Sequence, residues 1–185
     1  EDLTIPSVTF SGCNNIRIVK LSSSSTLKLN NQCFKRKSHL QTVDLSGKSV
    51  EISEECFDEC SSLNHFQIIQ SGNIKIDQNP FKECNEIESI KIESTIDMGP
   101  DINSKIELGR NCFSGFINLK SVEFIGGDIE LKNQCFNSCS SLENLSILDA
   151  KNVTIDYEQF ANFTSLQKII INSDSKVDLD NNCFY

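Results

Sequence analysis

One short pattern recurs along the whole chain and constrains its fold more than any other feature. In its clearest copy, at residues 135–142, the pattern reads CFNSCSSL. Successive phenylalanines of the pattern are separated by 24, 23, 24, 32, 23, 24 and 24 residues. They are Phe10, Phe34, Phe57, Phe81, Phe113, Phe136, Phe160 and Phe184. A unit that repeats at this period is typical of a solenoid, in which each unit buries its apolar side by stacking on its neighbours.

Two pairs of alternating apolar residues flank the phenylalanine of a typical unit. Val50 and Ile52 precede Phe57, for example, and Phe66 and Ile68 follow it. Alternation with a period of two predicts short strands that each bury one face. The segments between one pair and the next are rich in glycine, serine, asparagine and aspartate, which predicts tight turns. These segments are SGKS, QSGN, IGGD, DAKN and NSDS.

The segment around each phenylalanine is predicted to form a short helical turn. In five units a residue suited to an N-cap stands four positions before the phenylalanine. These residues are Asn30, Ser53, Asp77, Asp156 and Asp180. The predicted fold is an α/β solenoid, a right-handed superhelix with two short strands and one short helical turn in each coil of 23 to 24 residues.

Stacking of such coils superposes equivalent residues at the strand spacing of about 4.8 Å. The eight phenylalanines are therefore expected to form a continuous aromatic spine inside the solenoid. Removal of one ring from this spine should lower the free energy of unfolding by about 3 to 5 kcal/mol.

Residues 1–185 are expected to form a single domain with about eight repeat registers. The chain begins within a strand pair, Leu3 and Ile5, and ends just after Phe184, so we interpret it as a fragment of a longer protein. The long interval before Phe113 contains an insertion at residues 93–105. This insertion is either a recognition loop or a lengthened surface loop without a function of its own, since both are compatible with an intact stack.

The nine cysteines occupy two fixed places in the repeat, either directly before the phenylalanine or three residues after it. They are Cys33, Cys56, Cys112, Cys135 and Cys183 at the first place, and Cys13, Cys60, Cys84 and Cys139 at the second. Other units carry Pro80, Gln159 or Lys37 at these places. This variation favours buried thiols, although a disulfide framework stays open as the alternative. With only two histidines in the chain, a zinc site is not expected.

Composition and motifs exclude several classes of function. The net charge of −9 leaves no basic surface to neutralise phosphates, so a nucleic-acid partner is not expected. No apolar run approaches the roughly 18 residues that span a bilayer, so membrane contact would need segments outside this chain. No nucleophile elbow, glycine-rich phosphate loop or HExxH motif occurs, and no catalysis, cofactor or metal is expected.

Several units resemble a known class of repeat protein. CFDECSSLNHFQI, CFSGFINLKSVEF and CFNSCSSLENLSI, preceded by strands such as VEISEE and IELKNQ, are similar to the BspA-like (treponemal-type) leucine-rich repeats. The Asn, Ser and Lys bias, with CF in place of AF, resembles the versions found in parasitic protozoa. The resemblance implies a non-catalytic cell-surface or secreted protein that mediates adhesion to host cells, extracellular matrix or other microbes through a protein or glycan ligand. An intracellular scaffold for protein–protein interaction is the alternative.

Residues between the buried positions of the LxxVxI strand are expected to point outward and to align in columns when coils stack. We predict the partner-binding residues among these columns and the insertion: His65, Gln67, Ile69, Lys91, Glu93, Met98, Glu123, Ile125, Ser146 and Leu148. Ile69, Ile125 and Leu148 form either an exposed contact cluster or strand ends that fold into the core. Glycosylation sequons begin at Asn144, Asn152 and Asn162, and they matter only if the protein is secreted. The oligomeric state stays open.

Overall fold

A computed structural model of the chain describes residues 1–95, 104–132, 134–160 and 163–184. The described residues form a parallel β-solenoid of about seven turns. Its eleven strands all pair in parallel. They are β1 (Leu3–Ile5), β2 (Ile18–Leu29), β3 (Thr42–Ile52), β4 (His65–Ile68), β5 (Asn73–Ile76), β6 (Ser89–Glu93), β7 (Lys105–Leu108), β8 (Ser121–Ile125), β9 (Asp128–Leu131), β10 (Asn144–Ile155) and β11 (Lys168–Leu179).

The strands cover two sides of the solenoid. On the first face, the beginnings of β2 and β3 are followed by β4, β6, β8 and the beginnings of β10 and β11. On the second face, β1 and the ends of β2 and β3 are followed by β5, β7, β9 and the ends of β10 and β11. Equivalent residues pair from coil to coil, as Val43 does with Phe66 and Phe66 with Ile90. The columns predicted from the sequence are therefore present.

The predicted aromatic spine is confirmed. Neighbouring rings lie with their centroids 4.9, 5.5, 5.1, 5.6, 5.5, 5.5 and 5.1 Å apart along the series from Phe10 to Phe184. The planes of each pair are within 28° of parallel. Phe34, Phe57, Phe113 and Phe136 are at most 1% exposed, whereas the rings of the two end coils are only partly buried.

The predicted helical turn is not found among the described residues, where the phenylalanine segments form non-helical turns. The backbone explains the difference. Glu55 and Glu59, two residues on either side of Phe57, have φ values of 53° and 60°, which an α-helix cannot contain. The N–H groups of Phe57 and Glu59 donate instead to the carbonyls of Pro80 and Lys82 in the next coil, at 2.8 Å each. Bonds between coils thus replace the bonds within a helix.

The prediction of two short strands in every coil is correct only for part of the solenoid. Single strands of 11 or 12 residues run through both faces in β2, β3, β10 and β11. The segments SGKS, DAKN and NSDS are parts of β3, β10 and β11, so the predicted breaks between two strands are absent there. In DAKN the backbone still bends, since Asp149 has a φ of 52° and the pairing register with β11 shifts on both sides of Ala150. The chain does leave strand conformation at Gly126 and Gly127 in IGGD, both of which have positive φ.

The two glycines also make room for the base of the insertion. A Cβ atom on Gly126 would lie 2.4 Å from the carbonyl oxygen of Ser94, and one on Gly127 would lie 2.8 Å from that of Ser104. Ser94 donates its N–H to the carbonyl of Ile125 at 2.8 Å. The flanks of the insertion are therefore held against the next coil of the stack, while residues 96–103 lie outside the described part of the chain.

All nine cysteines are free thiols, and eight of them are buried as predicted. Cys13 is exposed because its coil is at the end of the solenoid and only partly covered. The thiols of Cys60, Cys84 and Cys139 each donate to the carbonyl of a phenylalanine in the preceding coil, at 3.1 to 3.2 Å. Burial raises the pKa of Cys60 and of Cys139 to about 12.

Candidate binding face

Most of the predicted partner-binding residues lie on the first face. His65 and Gln67 are on β4, Lys91 and Glu93 on β6, and Glu123 on β8. Ile125, Ser146 and Leu148 continue the same face on β8 and β10, and all three are partly exposed. These residues alternate with buried ones, so the pleat of the strands directs them away from the core.

A polar network centred on Asp44 crosses three coils at one end of this face. One oxygen of the Asp44 carboxylate lies 3.1 Å from His65 Nε2 and accepts a hydrogen bond from Gln67 Nε2 at 3.0 Å. The other oxygen lies 2.9 Å from Lys20 Nζ. The network fixes the side chains of His65 and Gln67 relative to each other.

The Asp44 carboxylate is held in its charged form. Partial burial alone would raise its pKa, but hydrogen bonds from Lys20 and Gln67 outweigh that effect and lower the pKa below the usual value of 3.8. Asp44 and Lys20 are not among the partner-binding residues predicted from the sequence. Their position in the same outward column as Gln67 was the signal that could have identified them.

A second charged group lies next to the first along the stack. Lys91 Nζ is 3.4 Å from a carboxylate oxygen of Glu93 on its own strand and 3.4 Å from one of Glu123 on the next strand. Glu123 in turn pairs with Ser146 in the strand register. Both acids are thus linked to a single cation in the middle of the face.

The three outward apolar residues do not form one continuous cluster. Ile125 pairs with Leu148 on β10, so these two side chains are neighbours. On its other side Ile125 pairs with Glu93. The coil that contains Glu93 lies between the coil of Ile125 and the coil of Ile69. Ile69 is therefore separated from the other two by a carboxylate. None of the three is buried in the core.

Ile69 instead forms one wall of a shallow groove on the first face. The groove has a volume of about 170 Å³. It is lined by Lys20, Leu21, Ser22, Asp44, Leu45, Ser46, Ile69 and Gln70. The small side chains of two serines in the column occupied by Ile69 leave this space open. The groove therefore joins an apolar wall to the Asp44 network.

A comparison with protein-family models decides the class of this repeat. Residues 3–104 and 100–185 match the model described as BspA type Leucine rich repeat region, with six copies. The chain belongs to the BspA-type leucine-rich repeat family. No curated protein and no solved structure matched the chain.

Membership of the BspA-type family has general consequences. Leucine-rich repeats are generally non-enzymatic scaffolds that mediate protein binding. BspA-like proteins are commonly surface-associated or secreted. In the part of this BspA-type chain that the structure describes, no group of three or more His, Cys, Asp or Glu side chains could hold a metal ion. The same residues include no helix with the length and hydropathy needed to cross a membrane.

Two predicted residues of the BspA-type chain, Met98 and Asn162, lie outside the described residues. Asn144 is the first residue of β10 and lies on the first face, where it pairs with Ser121 on one side and Lys168 on the other. Asn152 is on the second face, where its Nδ2 donates to Asp128 Oδ1 at 2.8 Å and its Oδ1 accepts the N–H of Lys176 at 3.3 Å. A glycan on Asn144 would thus project from the candidate face, and one on Asn152 would compete with bonds between coils.

Proposed function

We propose that this chain is a non-catalytic binding module of a cell-surface BspA-type protein and mediates adhesion to host cells, extracellular matrix or other microbes. The ligand is a protein or glycan that binds to the first face. In this proposal residues 1–185 act as one repeat domain of a longer protein, of the kind found in parasitic protozoa.

The observation that carries the proposal is the contrast between the two sides of each strand. On β4, β6 and β8 the buried residues are all apolar, while the outward ones include a histidine, an amide, a lysine and two carboxylates. These outward side chains are hydrogen-bonded or ion-paired to neighbours on their own or adjacent coils. Preorganised side chains lose less conformational entropy on binding. The groove beside Ile69 and the Ile125–Leu148 pair add apolar surface for a ligand.

The test is binding of the purified chain to cultured cells and immobilised matrix proteins. Lys91→Ala should weaken binding about 5-fold or more, because Lys91 lies in the middle of the first face between Glu93 and Glu123. Lys75→Ala is the matched control, because Lys75 is also an outward strand lysine paired with a carboxylate, but on the second face. Equal loss of binding in the two variants would contradict a site on the first face.

An intracellular scaffold for protein–protein interaction is the second candidate function. The observation that favours it is the set of nine free thiols, since cytosolic proteins keep their cysteines reduced. An antibody against the chain should stain intact cells if the protein is at the surface, and only permeabilised cells if it is an intracellular scaffold. Mass analysis for glycans at Asn144, Asn152 and Asn162 provides an independent measurement of the compartment.

A further inference from the structure

Two thiols face each other across neighbouring coils in the interior of the solenoid. The sulfur atoms of Cys33 and Cys56 lie 3.2 Å apart, and the two residues are 1% and 0% exposed. They are 23 residues apart in the sequence and equivalent in their repeats. We propose that Cys33 and Cys56 are an oxidation site, at which a disulfide joins two successive coils.

The backbone already has the geometry that such a bond needs. The N–H of Phe34 donates to the carbonyl of Cys56 at 2.9 Å, so the two coils are in hydrogen-bonded contact at this point. Coils at strand spacing have Cα atoms roughly 5 Å apart, within the range of about 4.4 to 6.8 Å for disulfides. The sulfur atoms must approach by a little more than 1 Å to reach the S–S length of about 2.05 Å. Small rotations of both side chains supply this movement.

The stacked rings next to the thiols fix their alignment. Phe34 and Phe57 directly follow the two cysteines, and their rings are 5.5 Å apart and 3° from parallel. A coil that slipped along its neighbour would break this stack and separate the thiols. Cys33 and Cys56 are therefore paired by the same register that forms the spine.

Other buried thiols of the chain donate their hydrogen to an oxygen atom. Cys60 and Cys84 donate to backbone carbonyls at 3.2 and 3.1 Å. Cys135 contacts the thiol of Cys112, but its own sulfur is also 3.0 Å from the side-chain oxygen of Gln159, which accepts its hydrogen. Cys33 and Cys56 have no such competing acceptor among the described contacts. Oxidation is thus expected at this pair first.

The oxidant in the proposed reaction is a small-molecule disulfide such as oxidised glutathione. One protein thiolate attacks the glutathione disulfide, which releases one reduced glutathione and leaves a mixed disulfide on the protein. The second protein thiol then displaces the other glutathione. Two protein S–H bonds and one glutathione S–S bond are replaced by one protein S–S bond and two glutathione S–H bonds. Because both thiols are buried, the attack requires transient separation of the coils.

The experiment incubates the reduced 185-residue chain with oxidised glutathione, in native buffer and in low urea, and then alkylates the remaining thiols under denaturing conditions. Peptide mapping by mass spectrometry should find Cys33 linked to Cys56 as the main crosslink. The oxidised protein should melt about 5 to 10 °C higher, because the bond closes a loop of one whole coil. Absence of the linked peptide under both conditions, or a main crosslink at another pair, would overturn the proposal.

Variants separate the pair from the other buried thiols. Cys33→Ser should abolish the main crosslink and the shift in melting temperature. Cys84→Ser changes an equally buried thiol that donates to the carbonyl of Phe57, and it should leave the main crosslink and the shift in melting temperature unchanged. The peptide map of the unmodified chain does not depend on the folding of either variant, so it tests the proposal even if a variant is unstable.

Discussion

The rings of Phe57 and Phe81 stack with their centroids 5.1 Å apart and their planes 6° from parallel, although the residues are 24 positions apart in the sequence. This relationship repeats along the solenoid and ties each coil to the next. It also brings outward residues of successive coils, such as Asp44 and His65, into contact on the first face. The stability of the spine and the geometry of the candidate face therefore depend on one register.

Phe57→Ala should destabilise the solenoid strongly. Phe57 is fully buried and has stacked rings on both sides, so the substitution leaves a cavity in the spine. We expect a loss of about 3 to 5 kcal/mol in the free energy of unfolding, measured by urea denaturation. Ile117→Ala, at a position that is 51% exposed, is the control and should change it by less than about 1 kcal/mol. A loss below about 1 kcal/mol for Phe57→Ala would show that the stack does not support the fold.

Gly126→Ala should destabilise the base of the insertion. The residue has φ of 76°, and an added Cβ would lie 2.4 Å from the carbonyl oxygen of Ser94. Strain and the backbone clash together should cost about 2 kcal/mol or more. Gly115→Ala is the matched control, since Gly115 has φ of 84° but nothing within 4 Å of an added Cβ. The melting temperature of Gly126→Ala should be clearly lower than that of Gly115→Ala. Equal melting temperatures would mean that the close approach of Gly126 to Ser94 is absent.

Acid should remove the stabilising contribution of the Asp44 network. The folded-state pKa of Asp44 is lowered relative to 3.8, so the network contributes stability above that pH and loses it as the pH falls through the folded-state pKa. The free energy of unfolding of the wild type should exceed that of Asp44→Asn at pH 7, and this difference should shrink progressively below about pH 4.

An NMR titration of the Asp44 carboxyl carbon provides a direct check of the same prediction. The chemical shift of this carbon should titrate with a midpoint below pH 3.8. A midpoint at or above this value would show that the hydrogen bonds from Lys20 and Gln67 do not outweigh the effect of burial.

Native alkylation should distinguish one cysteine from the rest. Cys13 is exposed, whereas the other eight thiols are buried. Burial raises the pKa of Cys60 and Cys139 to about 12, so almost none of either thiol is ionised at pH 8. Brief treatment with iodoacetamide at pH 8 should therefore modify Cys13 alone, as read by peptide mass spectrometry. All nine should react in guanidinium chloride, and rapid native modification of Cys60 would contradict the packing described for that coil.

Particular residues show how far the sequence could predict the fold and the candidate site. The alternation of Val50, Ile52, Phe66 and Ile68 correctly identified buried positions on both faces, because burial depends on side-chain type. The helical turn at Phe57 was predicted wrongly because Ser53 and the acidic residues after it suit the start of a helix as well as they suit the non-helical turn that the structure shows. Backbone partners in the next coil, which local sequence does not specify, decided the conformation. The link between Asp44 and His65 was missed because the two residues belong to different outward columns, and only the stacked coils bring their side chains into contact.

The sequence by itself determined that this chain is a stacked repeat, since a period of 23 to 24 residues with fixed apolar places is compatible with burial only when coils superpose. It also determined which residues alternate between the core and the surface within the LxxVxI strands, but not whether Ile125 and Leu148 at the strand ends face outward. The tertiary structure alone decided the left-handed turns beside Phe57, the contact of Cys33 with Cys56 and the separation of Ile69 from Ile125 by Glu93. These features join residues of different coils, and such contacts form only when neighbouring coils satisfy each other's backbone hydrogen bonds.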